Sequence, residues 1–239
     1  MAIHDPLYTL IPGTTLTNTD EEQARPRRGM THKRQAVMRA ARAVFGRVGY
    51  LGASIDMIAT EAGVSTRTIY NHFESKEHLF VTVLTESSHQ VAAAYEAIIQ
   101  RHLGEITDLE ADLIAFGRQW LRPLPEFADH FAIVRRINAE AERFPRELHE
   151  AWQEAGPLRV QHALAAQLAR LSDRGLLRIE DAECAAQHFA VLITARVTSR
   201  TQLGAAPIED AEIEKIATES VHAFLYGYLS RETPPTRET

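Results

Sequence analysis

The chain has 239 residues, 45% of them hydrophobic, which is enough for a domain of ordinary size and a smaller module built around real cores. No apolar run approaches the roughly 20 residues that a membrane-spanning helix needs, and the N-terminus lacks the basic and then apolar pattern of a signal peptide. We therefore expect a cytoplasmic protein with no membrane partner. The single cysteine, Cys184, excludes an intramolecular disulfide.

The charge is distributed unevenly along the chain. The formal net charge is -6, yet residues 25–80 carry ten Lys and Arg against four Asp and Glu, a net charge of +6. The remaining residues therefore carry -12. A basic segment joined to an acidic body suggests that one part of the molecule faces phosphate, although a charge run is also typical of a solvated face.

Residues 1–30 contain several prolines and glycines and show no hydrophobic period, so we interpret them as a flexible tail with a basic end. From about Thr31 to Val48, apolar residues recur at the spacing of an amphipathic helix. They are Val37, Ala40, Ala41, Val44, Phe45 and Val48.

Two short helices and a longer one are predicted next. Ser54 is a candidate N-cap for the first, Gly63 suits a left-handed turn, and Ser65 is a candidate N-cap for the second, which ends near His72. Ser75 would cap a fourth helix that runs to about residue 102. Two short helices joined by a glycine-containing turn form a helix-turn-helix. Two apolar residues would anchor the second helix in the core: Ile69 and Phe73.

The free face of that second helix is polar and carries hydrogen-bonding groups. Such a face could enter the major groove of DNA and read base edges, or it could be the solvated side of an ordinary helical bundle. Its members are Thr66, Arg67, Thr68, Tyr70, Asn71 and His72.

The stretch ASIDMIATEAGVSTRTIYNHFESKEHLF resembles the N-terminal module of the tetracycline-repressor (TetR) family. Residues 131–203 resemble the sub-group of that family with an AefR-like C-terminal domain. The resemblance implies an all-α fold, with a three-helix helix-turn-helix DNA-binding module over residues 31–80 and a larger helical effector-binding and dimerisation domain over residues 81–230. Residues 231–239 would form a C-terminal tail.

The resemblance also implies two sets of DNA contacts. Four residues fall at positions that tend to face bases: Thr66, Arg67, Thr68 and Asn71. Five fall at positions that tend to hold phosphates: Ser54, Ser65, Tyr70, His72 and Lys76. Helix N-termini favour anions and a lysine adds a point charge, so the chemistry agrees. Arg67 could reach a guanine bidentately or hold a phosphate, and the sequence leaves both open.

Two helices are predicted at the C-terminal end, over residues 181–203 and 208–229. Each has a broad apolar face, which includes Phe189 in the first and Phe224 in the second. Both faces could be core within one chain. In the TetR family the last two helices pair with their two-fold mates, so the resemblance implies a homodimer, which would suit two half-sites of DNA.

A sensor region is expected between these parts, because aromatic residues lie on several predicted helices. A mostly apolar pocket with a few polar anchors is what a small-molecule effector needs, although aromatic residues at helical spacing are more often plain core. Since Arg135 and Arg136 are adjacent in one helix, at most one should point inward. The candidate ligand contacts are Phe116, Trp120, Arg136, Phe144, Trp152 and His162, and His130 could add a further polar group.

Enzyme signatures are absent from the sequence: there is no nucleophile elbow, phosphate-binding loop, dinucleotide fingerprint or zinc-binding helix motif. We expect no enzymatic activity, no cofactor and no metal. The sequence favours a repressor that binds double-stranded DNA at a palindromic operator as a homodimer and is released by a small-molecule effector. The alternative is an all-α ligand-binding protein or enzyme without specific DNA binding.

The basic segment predicts a salt-dependent affinity for DNA. If each subunit of a dimer neutralises four phosphates, the logarithm of the association constant should fall against the logarithm of salt concentration with a slope of roughly -7. Titration of a fluorescent duplex at several potassium chloride concentrations measures this slope. An affinity independent of salt would contradict docking of this segment onto DNA.

Overall fold

The computed structural model describes residues 20–139, 146–200 and 207–226, with side chains from residue 31 onward and excluding Arg200. This part of the chain is helical and contains no β-strand, as the predicted all-α class requires. It forms one short 3-10 helix, Pro125–Phe127, and ten α-helices: α1 (Asp20–Gly52), α2 (Ile55–Ala62), α3 (Thr66–Tyr70), α4 (Lys76–Leu103), α5 (Leu109–Leu121), α6 (Ala128–Ala139), α7 (Arg146–Ala155), α8 (Pro157–Asp173), α9 (Ala182–Arg200) and α10 (Asp210–Tyr226).

The first helix is longer than the sequence pattern predicted. Its backbone is helical from Asp20, so the expected start at Thr31 is wrong. Pro26 and Gly29 suggested a break, but an interior proline removes one backbone hydrogen bond at a cost of about 3 kcal/mol and does not by itself end a helix. Residues 1–19 of the predicted tail, and all of the predicted C-terminal tail, lie outside the described residues.

The three predicted serine caps are confirmed. The hydroxyl oxygen of Ser54 accepts a hydrogen bond from the Met57 amide at 3.1 Å, and that of Ser65 accepts from the Thr68 amide at 3.2 Å. Ser75 accepts from the His78 amide at 3.0 Å in the same way. These bonds satisfy amides that have no partner within their own helices, and they fix where α2, α3 and α4 begin.

The core of the N-terminal module is continuous with the next part of the molecule. Val37, Phe45 and Ile58 of the module belong to one buried cluster with Ile133 of α6 and Trp152 of α7. Helix α4 itself crosses the domain boundary expected at residue 80. The two regions therefore share apolar packing, and residues of α6 and α7 pack in the same buried cluster as residues of the helix-turn-helix module.

A second core is built by α4, α5, α8, α9 and α10. Phe116 is fully buried, and its ring stacks on Phe189 with centroids 5.4 Å apart. Phe189 and Ile216 are at most 1% exposed, so much of the apolar face predicted for α9 and α10 is buried within one chain. Across the described part of the chain, no helix is long and apolar enough to cross a membrane.

Two glycines with positive φ should differ in what they tolerate. Gly63 has φ 65° and ψ 34°, and an added Cβ would meet nothing within 4 Å. Gly49 has φ 76° and ψ 172°, a region that only glycine readily adopts, and an added Cβ would lie 3.3 Å from Arg136 Cδ. We expect Gly63→Ala to cost about 1 kcal/mol and Gly49→Ala about 3 kcal/mol. Urea unfolding measures both; equal midpoints would contradict this assignment.

Candidate DNA interface and effector cavity

The predicted recognition helix is α3, and the protein anchors it through two buried side chains. Ile69 is fully buried and Phe73 is 2% exposed, as the sequence predicted. The other side of the helix carries Arg67, Tyr70 and Asn71, which are all exposed. Three polar or aromatic side chains thus stand on one accessible surface, with the helix held behind them by apolar packing. His72 and Thr66 are half-buried beside them.

Two of the predicted phosphate contacts are already engaged in helix capping. Ser65 accepts from the Thr68 amide, and its hydroxyl also shares a 3.0 Å hydrogen bond with the Thr68 hydroxyl. The Ser54 oxygen accepts from Met57. Each serine hydroxyl retains hydrogen-bonding capacity, so capping does not exclude a phosphate contact. It does mean that loss of either hydroxyl disturbs a helix start as well as any contact with DNA.

Lys76 performs a structural task that sequence reasoning missed. Its ammonium donates to the carbonyl oxygens of Tyr50 and Ala53, both at 3.0 Å, and lies 4.4 Å from the centroid of the Tyr50 ring. The side chain is half-buried. An ammonium has three donors, so one remains for a phosphate. Lys76 therefore ties the start of α4 to the end of α1.

Arg136 approaches the same end of α1 from α6. Its Nε donates to the Gly46 carbonyl at 3.0 Å, and its Nη2 donates to the Arg47 carbonyl. Sequence reasoning placed Arg136 among the ligand contacts, but its guanidinium is turned toward α1. The expectation that at most one of the adjacent arginines points inward holds, and the structure selects Arg135, which lines a cavity between α4, α5, α6 and α9.

One cavity, which we call the apolar cavity, has a volume of about 350 Å³ and lies among α4, α5, α6, α7, α8 and α9. Trp120 and Trp152 line it, where sequence reasoning expected ligand contacts. Of the other expected contacts, Phe116, Arg136 and His162 do not line it. Phe116 is buried behind Trp120, with ring centroids 5.3 Å apart, and His162 is exposed to solvent. Phe144 lies outside the described residues.

Two further polar residues line this cavity: His130, which the sequence offered as a possible polar group of the sensor region, and Tyr95, which it did not. His130 is 4% exposed, and its Nδ1 lies 2.8 Å from the Ser87 hydroxyl. Burial, together with the nearby charge of Arg42, lowers the pKa of His130 to about 4, so the imidazole is neutral at physiological pH. Burial also raises the pKa of Tyr95 to about 12, so its hydroxyl stays protonated.

Comparison with known proteins agrees with this arrangement. Residues 37–83 match the model described as bacterial regulatory proteins of the tetR family, which covers α2, α3 and parts of α1 and α4. Residues 111–230 match the model of the AefR-like transcriptional repressor C-terminal domain. The chain belongs to the TetR family. It is a DNA-binding transcriptional regulator, with the helix-turn-helix and the helical C-terminal domain of that family.

Individual relatives of this TetR-family regulator are moderately similar to it. A solved structure from Mesorhizobium loti MAFF303099, assigned to the TetR family, is 31% identical with a TM-score of 0.72, covering 82% of this chain and 96% of that one. The flavonoid-responsive regulator FrrA is 31% identical with a TM-score of 0.59, covering 81% and 95%. The repressor NicS of Pseudomonas putida is 30% identical over 140 residues, which are 53% of this chain and 66% of NicS.

Alanine substitutions of Arg67 and Lys76 should distinguish a cation that only contacts DNA from one that also stabilises the fold. Arg67 is exposed, and its guanidinium has no hydrogen bond or ion pair within the described part of the chain. Arg67→Ala should weaken operator binding at least fivefold and leave the thermal midpoint unchanged. Lys76→Ala should lower the midpoint as well, since it removes donors from two carbonyls at a cost of about 1–3 kcal/mol, or roughly 2–4 °C per kcal/mol.

Fluorescence anisotropy and thermal unfolding measure the two effects. Arg174→Ala is a matched control, because Arg174 is exposed at the end of α8 and outside the module. The interpretation of α3 as the DNA-reading helix would be wrong if Arg67→Ala bound the operator as tightly as the parent protein.

Proposed function

We propose that this regulator is a homodimeric repressor that holds a palindromic operator and releases it when a small molecule occupies the apolar cavity. The observation that carries the proposal is the position of the cavity. Its walls include α4 and α6, and both helices also make direct contact with the DNA-binding module. A ligand that changes the packing of either helix acts on the recognition helices without touching DNA.

Helix α4 provides the first link. It begins at Lys76, beside α3, and the middle part of the helix contributes Ser88, Val91 and Tyr95 to the cavity wall. The ammonium of Lys76 holds the end of α1 at the other end of the same continuous helix. A tilt of α4 caused by a ligand near Tyr95 is therefore transmitted to α1 and, through the shared core, to α3.

Helix α6 provides the second link. His130, Phe131 and Val134 line the cavity, and Arg136, one half-turn further, donates to the carbonyls at the end of α1. An added Cβ on Gly46 would lie 3.2 Å from the carbonyl oxygen of Asp129, which shows how closely α1 approaches α6. Because the two helices are in contact, displacement of α6 by a ligand changes the position of α1.

The dimer surface that we propose lies on α9 and α10. Val191 is 62% exposed and Tyr226 is 49% exposed, which is unusual for large apolar and aromatic residues. Val191 lines a groove with Phe224 and Leu225. A two-fold dimer would cover this groove and set the distance between the two recognition helices, which must match about 34–36 Å for successive major grooves.

The effector is expected to have an aromatic or otherwise apolar body. The cavity is lined by tryptophan, tyrosine, phenylalanine and aliphatic side chains, and it contains no Asp, Glu, Lys or Arg within the described residues. FrrA, which is 31% identical, is named as flavonoid-responsive. Flavone, a flat neutral member of that class, is therefore a suitable first probe of the apolar cavity.

Filling the cavity should uncouple DNA binding from the effector. Ala190 is half-buried and lines the cavity. Ala190→Phe should retain operator affinity but lose the response to flavone. In the parent protein, flavone should lower the affinity for the operator by about 1–3 kcal/mol, or about 5- to 150-fold. Fluorescence anisotropy with the DNA upstream of the regulator's own gene measures both quantities.

Two controls make this test specific. Ala166→Phe places the same side chain on an exposed position of α8 outside the cavity and should respond like the parent. Val191→Asp should give a monomer by sedimentation and lose operator binding. An Ala190→Phe protein that still responds to flavone would place the effector elsewhere, and a Val191→Asp protein that remains dimeric would exclude the α9–α10 surface.

A further inference from the structure

A second cavity adjoins the apolar cavity. It has a volume of about 310 Å³, and we call it the arginine cavity after Arg122 and Arg135 in its wall. Three aromatic side chains belong to the walls of both cavities: Tyr95, Trp120 and Phe131. The rings of Tyr95 and Trp120 are 5.1 Å apart between centroids. A ligand that extends from one cavity into the other must therefore pass along aromatic faces, which favours an aromatic ring at that point.

The arginine cavity is positive. Its wall contains two guanidinium groups and, in the described ranges, no Asp or Glu. Arg122 is exposed and lies 3.8 Å from Asp210, a carboxylate that is itself 84% exposed. Arg135 is half-buried, and no described residue accepts a hydrogen bond from its guanidinium or forms an ion pair with it. A partly desolvated guanidinium without a carboxylate is stabilised by an anion, most strongly by a carboxylate that it binds bidentately.

Trp152, in the uncharged wall of the apolar cavity, has an unused hydrogen-bond donor. The residue is 7% exposed, and its buried indole Nε1 has no hydrogen-bond partner among the described residues. A buried donor without an acceptor costs about 1–3 kcal/mol, so a ligand acceptor that reached Nε1 on binding would be favoured.

His130 lines the same cavity and supplies an acceptor. The Ser87 hydroxyl lies within hydrogen-bond distance of both the Leu84 carbonyl, at 3.0 Å, and the Nδ1 of His130. In the tautomer in which Ser87 donates to Leu84, the Nδ1 of His130 carries the proton and donates to Ser87. The Nε2 of the neutral ring is then an acceptor. A hydroxyl group can accept from one partner and donate to another, so it satisfies Trp152 and His130 together.

We propose that the effector is an aromatic carboxylic acid with a hydroxyl group at its far end. The hydroxyl lies in the apolar cavity against Trp152 and His130, the ring passes Tyr95, Trp120 and Phe131, and the carboxylate binds Arg135. His130 and Arg135 are five residues apart on α6, about 7.5 Å along the helix axis and about 140° around it. A ligand that reaches both therefore follows the aromatic wall shared by the two cavities, and 4-hydroxycinnamate, whose ring and two-carbon arm separate a hydroxyl from a carboxylate, is the probe of this class. This inference rests on the proposed function, because it names the ligand of the same cavity.

The test compares three matched probes by isothermal titration calorimetry with the full-length protein. They are 4-hydroxycinnamate, its neutral amide, and cinnamate, which lacks the hydroxyl. We expect the hydroxy acid to bind at least tenfold more tightly than either analogue, because each analogue leaves one buried or half-buried polar group without its partner. The hydroxy acid should also release the operator in the anisotropy assay.

Two variants assign the contacts. Arg135→Gln should reduce the affinity for the acid to that for the amide and leave the amide unchanged. Trp152→Phe should reduce the affinity for 4-hydroxycinnamate to that for cinnamate and leave cinnamate unchanged. Arg174→Gln, a charge loss at an exposed site outside both cavities, should preserve the full ranking of the three probes. Thermal unfolding establishes that each variant is folded.

Several results would overturn the proposal. These are equal affinities for the acid and the amide, no binding of either acid at millimolar concentration, or an unchanged acid preference in Arg135→Gln. Flavone separates this failure from failure of the proposed function. If flavone binds and releases the operator while the acids do not, the effector cavity stands and the acid class is wrong. If no probe binds and the operator is not recognised, the proposed function itself fails.

Discussion

The end of α1 is the point on which the arrangement of this protein depends. Four carbonyl groups there would lack intrahelical partners or carry the partial negative charge of a helix C-terminus. Lys76 supplies donors to Tyr50 and Ala53, and Arg136 supplies them to Gly46 and Arg47. The two cations come from different helices, α4 and α6. The orientation of the DNA-binding module is thus set by whichever positions those two helices adopt.

In this arrangement the helices that line the apolar cavity also contact the DNA-binding module. Both α4 and α6 line the cavity and contact α1, and the buried cluster that joins the module to α6 and α7 includes Trp152 of the cavity wall. Coupling in regulators typically amounts to about 1–3 kcal/mol, which is comparable to the loss of one or two hydrogen bonds of this kind. Under the proposed function, a modest displacement of either helix would therefore be sufficient to change the affinity for DNA.

The polarity of the two cavities is a consequence of how α6 is oriented. Successive residues of a helix point about 100° apart, so Arg135 and Arg136 cannot face the same neighbour. With Arg136 committed to α1, Arg135 faces the second cavity, and His130 and Phe131 face the first. One helix thereby presents an uncharged acceptor and a cation to two adjoining spaces. The structural contact with α1 and the chemistry of the cavities are fixed together.

The sequence alone determined the features that depend on neighbours within a few residues. The caps at Ser54, Ser65 and Ser75, the left-handed turn at Gly63 and the burial of Ile69 and Phe73 follow from local hydrogen bonding and helical periodicity, and the motif that they form identified the family. Contacts between residues far apart in sequence could only be decided by the tertiary structure. The assignment of Arg136 to α1, of Phe189 to the core and of His130 to the cavity depends on which helices pack together, because an apolar or charged position on a helix shows only that it faces something and does not show what it faces.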